Sequence, residues 1–260
     1  MTPILLLGAG RMGGAIIDGW RQTGAVATSD LIIRDPSAGE AFAGSGAQVN
    51  PADSALKTAK TVILAVKPQL WRGVAEEVSG LLAKDAVIIS MVAGVSSQDL
   101  SQAFGGRTVA RIMPTTAVAV AKGTVSVFAA EAEARGLAHK LFDPIATTVD
   151  LTDENLMHAA TAVSGSAPAY LYALVEALEG AGVSQGLTPE AASELARSTI
   201  VGAAALMGQS DTSPAELRRQ VTSPNGTTQA ALDVLFDENG LPRLMSHAVA
   251  AAVKRSRELG

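Results

Sequence analysis

Six residues near the N-terminus constrain this chain most. Gly8-Ala9-Gly10-Arg11-Met12-Gly13 follows directly on the apolar run Ile4-Leu5-Leu6-Leu7 and leads directly into a stretch of helical periodicity, Met12–Arg21. In a strand–turn–helix unit each glycine has its own task. The first permits the tight turn, the second lets a pyrophosphate approach the backbone, and the third lets helix and strand pack closely. The free amides and positive dipole end of the helix then face the phosphates. A glycine-rich turn alone is weak evidence. Its position between strand and helix, with a second strand ending at Arg34-Asp35, marks a dinucleotide-binding unit and makes Gly8, Gly10, Arg11, Met12 and Gly13 cofactor candidates.

The rest of the first half keeps this rhythm. Short apolar runs at Leu31–Ile33, Thr61–Val66, Ala86–Ser90 and Thr108–Ile112 alternate with helical stretches such as Leu70–Leu82. Continuous apolar strands separated by helices predict a parallel sheet covered on both faces. Thr124–Phe128 and Ala146–Leu151 read as further strands around a helix at Glu131–Leu141. Beyond Asp150 the pattern becomes wholly helical: Leu156–Val163, Ala169–Gly182, Pro189–Met207, Pro214–Gln220, Thr227–Phe236 and Arg243–Glu258. The expected fold class is therefore α/β, a Rossmann-type, mostly parallel sheet domain over residues 1–152 followed by an all-α domain over 153–260. The stretch Ala191–Met207 is so apolar that burial on most sides is expected, some of it against a second subunit.

Composition narrows the function. The 260 residues carry 20 basic and 25 acidic side chains, a net charge of −5, with no basic cluster of the kind a nucleic-acid binder gathers. There are no cysteines, and the three histidines (His139, His158, His247) lack ligand spacing, so neither disulfides nor a metal are expected. Ile4–Leu7 is too short to span a membrane, and no basic residues precede it as a signal peptide requires. A cytoplasmic protein is the expectation.

The end of the second strand bears on the form of the dinucleotide. Asp35 suits the two ribose hydroxyls of NAD, whereas Arg34 with Ser37 suits the 2′-phosphate of NADP. The two charges also suit a plain solvated strand end. NADP(H) is slightly favoured over NAD(H).

Four more segments extend the reading: Ala65-Val66-Lys67-Pro68-Gln69, Arg111-Ile112-Met113-Pro114, Ser164-Gly165-Ser166-Ala167-Pro168-Ala169-Tyr170, and Val221-Thr222-Ser223-Pro224-Asn225-Gly226-Thr227-Thr228. With the glycine turn, and in this order, they resemble the pyrroline-5-carboxylate reductase family along the whole chain. The resemblance implies NAD(P)H-dependent reduction of 1-pyrroline-5-carboxylate to L-proline, in proline biosynthesis. It also implies an all-helical dimerisation domain, a homodimer or higher homo-oligomer, and an imine pocket between cofactor and helices. It places Ala65, Lys67 and Pro68 on the nicotinamide side. The chain departs from the family at Thr115-Thr116-Ala117, where Asn-Thr-Pro is usual, and at Ala167 and Asn225, where glycine is usual.

Read as chemistry, Pro224, Asn225 and Gly226 form a turn, and Thr227 and Thr228 open a helix whose free amides suit a carboxylate. The same residues also suit ordinary helix capping. The resemblance favours substrate, so Ser223, Asn225, Gly226, Thr227 and Thr228 are substrate-binding candidates and the Thr228 hydroxyl is the catalytic candidate, placed at the imine nitrogen. The dinucleotide carries the chemistry in such a reaction, and the protein supplies binding, orientation and electrostatics. Two other readings fit the same N-terminal half: a Rossmann reductase acting on a different cyclic imine, and a non-catalytic dinucleotide-binding protein. A hydroxyacid dehydrogenase would place a catalytic lysine in Ser164–Glu179, and there is none.

Overall fold

The computed structural model describes residues 1–38 and 42–259. In chain order the elements are β1 (Ile4–Leu7), α1 (Arg11–Thr23), β2 (Leu31–Arg34), β3 (Gln48–Val49), α2 (Asp53–Leu56), β4 (Thr61–Leu64), α3 (Trp71–Val78), β5 (Val87–Ser90), α4 (Ser97–Ala103), β6 (Val109–Pro114), β7 (Gly123–Ala129), α5 (Ala132–Phe142) and β8 (Ala146–Asp150). The helices α6 (Leu156–Ala160), α7 (Ala167–Ser184), α8 (Pro189–Gly208), α9 (Pro214–Gln220), α10 (Thr227–Leu235) and α11 (Leu241–Glu258) follow.

The strands form one sheet in the order β3-β2-β1-β4-β5-β6-β7-β8, parallel except where β7 runs antiparallel to β6. The run Ile4–Leu7 sits mid-sheet, and the pleat sends its side chains alternately to two cores. Ile4 and Leu6 face Ile16, Ile17 and Trp20 of α1 and Leu141 and Phe142 of α5. Leu5 and Leu7 face Trp71, Ala75 and Val78 of α3 and Leu100 of α4. All four are buried, which is why the strand shows no polar alternation. Each such side chain contributes about 2 kcal/mol of burial. The Trp20 indole also donates to the Leu141 carbonyl at 2.7 Å, tying α1 to α5 beneath the sheet.

Three elements went unforeseen. The two-residue strand β3 and the single-turn α2 are too short to carry a period. The polar helix α4 carried a capping signal, Ser96 with Asp99 three residues on, and the Ser96 hydroxyl accepts from the Asp99 amide at 3.0 Å. The strand expected over Thr61–Val66 ends at Leu64, which leaves Ala65 and Val66 to turn away from the sheet.

The chain packs as two compact units, Met1–Gly165 with Ala252–Gly260, and Ser166–Ala251. The division falls beyond the 152/153 boundary because 153–165 is tied into the first unit. The Arg111 guanidinium, 5% exposed, donates to Glu154 at 2.8 Å, and Glu154 also accepts from the Ser97 amide and hydroxyl. Burial pushes the Glu154 carboxyl up, but Arg111 and Ser97 outweigh it and hold the pKa below the ordinary value. His158 Nδ1 and the Ser256 hydroxyl lie 3.0 Å apart, which ties the end of α11 to the same unit.

The second unit is all helix. Its apolar face is largely uncovered: in α8 only Ala192 and Ala196 are buried, while Val201 and Leu206 stand exposed. The expected burial of Ala191–Met207 is thus not supplied by this chain. No helix among the described residues is long and apolar enough to cross a membrane.

Candidate functional site

The first unit holds a cleft of about 780 Å³ at the carboxyl ends of β1, β2 and β4. In open α/β sheets this is where ligands bind. It brings together Gly8, Gly10, Arg34, Ala65 and Lys67, five of the nine cofactor candidates. Arg11, Met12, Gly13 and Pro68 lie outside its lining. Arg11 and Met12 open α1, whose N-cap residue is Gly10 and which no side chain caps, so the first amides of the helix are free.

The glycines differ in what they allow. Gly8 has φ +92°, and a Cβ there would stand 2.7 Å from the Ala65 carbonyl oxygen. A Cβ on Gly13 would lie 2.3 Å from the Gly8 carbonyl oxygen. Around Gly10 nothing lies within 4 Å of that position, so the backbone is open to the cleft. Two glycines therefore close the turn and the third leaves room for a ligand, which suits a pyrophosphate on the amides of α1.

The adenosine-end candidates are engaged within the protein. Asp35 accepts from the Ala9 amide and the Ser37 amide, both at 2.7 Å, and so pins the glycine turn to the end of β2. The Arg34 guanidinium donates through Nη2 to Asp53 at 2.8 Å and Glu77 at 3.1 Å, and through Nη1 to the Pro51 carbonyl at 3.1 Å. The Glu77 hydrogen bond is the largest influence on Arg34, whose pKa is raised. Asn50, in the left-handed region at φ +45°, accepts from the Asp35 amide and donates to the Asp35 carbonyl. Sequence reasoning missed Asn50 and Glu77, both of which line the cleft. The order Asn50-Pro51 marked a turn, but nothing linked it to the cleft. Glu77 had no signal, since it reaches Arg34 from a helix 43 residues away.

In the second unit, Asn225 adopts φ +57° and Gly226 is the N-cap residue of α10. The Gly226 amide donates to the Ser223 carbonyl at 3.0 Å, closing the turn. No side chain caps α10, whereas the neighbouring α8 and α9 are capped by the hydroxyls of Thr188 and Ser213. Ordinary capping by Ser223, Thr227 or Thr228 is therefore not what this turn does. The Thr227 and Thr228 amides open the helix without intrahelical partners, and Ser223, Asn225, Thr227 and Thr228 are all exposed. The Thr228 hydroxyl makes no hydrogen bond among the described residues.

Thr115 lies outside the lining of the N-terminal cleft. Its hydroxyl accepts from the Thr124 amide at 3.0 Å and its amide donates to the Thr124 carbonyl, so the residue joins the end of β6 to β7. The following turn, Thr116–Val120, packs against α1 at Gly19, where a Cβ would lie 2.1 Å from the Val118 carbonyl oxygen.

A mostly parallel sheet whose glycine turn opens onto a large cleft, in a chain that also carries an all-helical unit, marks a Rossmann-type dinucleotide-binding protein. Comparison with known proteins narrows this. Residues 154–259 match the family described as pyrroline-5-carboxylate reductase dimerisation, and residues 3–94 match that described as NADP oxidoreductase coenzyme F420-dependent. The chain is 38% identical to a pyrroline-5-carboxylate reductase of Pseudomonas aeruginosa, over 99% of this chain and 97% of that one. A solved structure of the Coxiella burnetii pyrroline-5-carboxylate reductase is 29% identical, with a TM-score of 0.89 over 100% of this chain and 98% of that one. The Plasmodium falciparum pyrroline carboxylate reductase, solved with NADP bound, has the same fold at 24% identity, with a TM-score of 0.86 over 100% of this chain and 98% of that one. The chain belongs to the pyrroline-5-carboxylate reductase family.

Proposed function

We propose that this protein reduces 1-pyrroline-5-carboxylate to L-proline with NADH or NADPH, as part of proline biosynthesis. The observation that carries this reading is the uncapped turn Ser223–Thr228, a ready carboxylate site in a chain that also holds a dinucleotide cleft. A dinucleotide sensor has no use for such a turn.

Residues 1–152 act as the dinucleotide-binding domain and 153–260 as the substrate and dimerisation domain. Amides at Gly10, Arg11 and Met12 hold the pyrophosphate, Gly8 and Gly13 shape the turn, Arg34 addresses the adenosine end, and Ala65, Lys67 and Pro68 border the nicotinamide. When bound, the dinucleotide supplies the hydride. The protein fixes the imine. The amides of Gly226–Thr228, with Ser223 and Asn225 shaping the turn, hold the carboxylate. The Thr228 hydroxyl oxygen accepts the N–H of the protonated imine. The hydride adds to the imine carbon, the C=N pair moves onto nitrogen, and the proton already there completes the amine, so no strong acid is required.

The exposed apolar face of the helical unit is covered by a second copy, giving a homodimer or a larger homo-oligomer, and the protein works in the cytoplasm. The test mixes protein, reduced dinucleotide and 1-pyrroline-5-carboxylate and follows nicotinamide absorbance. Oxidation that depends on the imine is expected. A folded protein that binds the dinucleotide yet leaves this imine unreduced would return the site to another imine or to binding alone.

A further inference from the structure

We propose that Glu77, with Asp53, is a specificity-determining residue that competes with a 2′-phosphate for Arg34 and so biases the cleft toward the dinucleotide lacking that phosphate. The inference rests on the placement of the dinucleotide in the N-terminal cleft proposed above.

The guanidinium of Arg34 has a fixed donor geometry. Its two-pronged edges, the ones that match a phosphate, are Nη1 with Nη2 and Nε with Nη2. Both use Nη2. In this protein the two hydrogens of Nη2 go to Asp53 and Glu77, at 2.8 and 3.1 Å. Nη1 spends one hydrogen on the Pro51 carbonyl. No two-pronged edge is left for a phosphate unless a carboxylate first gives way. One positive charge between two negative ones also leaves this corner of the cleft net negative, which opposes a phosphate dianion directly. A ribose carrying free hydroxyls meets no such opposition, since hydroxyls donate to carboxylates.

Exposure sets the size of the effect. Arg34 is 26% exposed, but Asp53 and Glu77 are 58% and 57% exposed. Carboxylates so well solvated are displaced at modest cost. The clamp therefore tunes selectivity and does not bar NADPH. Of the two carboxylates it is Glu77 that lines the cleft, so it is the residue to change.

The experiment measures dissociation constants for NADPH and NADH, and for the fragments 2′,5′-ADP and 5′-ADP, by calorimetry on the full chain. In Glu77→Gln the NADPH:NADH ratio of dissociation constants is expected to fall by about tenfold, with the same shift between the fragments. Asp53→Asn is expected to shift the ratio in the same direction, and Glu77→Lys further than Glu77→Gln. Both dinucleotides binding to Glu77→Gln at the wild-type ratio, or NADPH binding worse relative to NADH, would overturn the inference and leave the cleft assignment standing. Wild-type protein that binds neither dinucleotide would overturn both.

Discussion

In the N-terminal unit the large side chains lie inside, with Trp20, Phe104 and Phe142 all at 0% exposure, whereas in the helical unit Val201, Leu206 and Val234 stand 68–70% exposed. Both regions are built from equally apolar sequence. One half satisfies its apolar residues by wrapping helices on both faces of a sheet. The other has no sheet to wrap and only its own helix pairs, so its apolar faces stay uncovered within the chain. Large exposed apolar faces rimmed by polar residues are how association surfaces look in a single chain. Apolar periodicity therefore locates a buried face without saying which chain buries it.

The largest expected effect separates these two kinds of burial. Trp20→Ala removes an indole packed 6.1 Å from the Phe142 ring, together with its bond to the Leu141 carbonyl. Equilibrium unfolding in urea should show a loss of about 4 kcal/mol that does not vary with protein concentration. Val201→Glu changes a side chain that is 68% exposed in the chain itself. It should leave the N-terminal unit folded while light scattering at micromolar concentration shows the assembly dissociated. An oligomer of wild-type size in that variant would mean the face of α8 is not the contact.

The next effect concerns the turn of the helical unit, where the proposed chemistry depends on one hydroxyl. Thr228→Ala keeps the amides of Gly226–Thr228, so carboxylate binding should survive. Misplacing a reacting carbon by about 1 Å costs on the order of a hundredfold in rate. The loss should therefore fall on kcat, with a smaller rise in KM, and Thr228→Ser should recover most of it. Wild-type turnover by Thr228→Ala would move the role to another group. Ser223 and Thr115 are then the next to test, Thr115 with its hydroxyl already accepting from the Thr124 amide.

The two regions also differed in how much of them the sequence disclosed. Every long element was legible, because a buried strand or an amphipathic helix must show its period over several residues. The glycine turn was legible for a related reason: a Cβ on Gly8 or Gly13 would lie within 3 Å of a carbonyl oxygen, so the backbone itself demands the motif. What stayed hidden was contact between distant segments. That Arg34 is gripped by Asp53 and Glu77, and that Asp35 is spent on Ala9 and Ser37, depends on loop paths that no periodicity encodes. The adenosine end, weighed from Arg34, Asp35 and Ser37 alone, left out the Asp53 and Glu77 carboxylates that hold Arg34.

A smaller effect follows at that corner. Arg34→Ala removes the guanidinium that Asp53 and Glu77 share. Binding of NADPH relative to NADH, measured by titration, should weaken about ten- to a hundredfold. Equal losses for the two would show that Arg34 serves the fold rather than the phosphate.

The smallest effect lies at the far edge of the N-terminal sheet, and it is a dependence on pH. His139 of α5 places Nδ1 3.1 Å from Asp143 and Nε2 3.2 Å from Asp150 at the end of β8. Each ring nitrogen faces a carboxylate, with the Thr148 hydroxyl also 3.0 Å from Nδ1, so donating to both carboxylates at once takes the doubly protonated ring. Partial burial lowers the imidazole pKa, but the hydrogen bonds to Asp150 and Asp143 outweigh it and the net shift is upward. A pKa raised on folding gives stability that is fully present below the ordinary value of about 6.5 and is lost as pH climbs through the folded value. The ring is 31% exposed and its partners more so, which limits the gain to about 1 kcal/mol or less. His139→Gln abolishes the charge. The Tm advantage of the wild type over this variant should be about 1–3 °C at about pH 5.5 and should shrink toward zero at about pH 8.5. Taking the difference between the two proteins cancels the acid titration of every other carboxylate. An advantage that held constant across that range would mean the imidazole stabilises the edge by packing, with its charge contributing nothing.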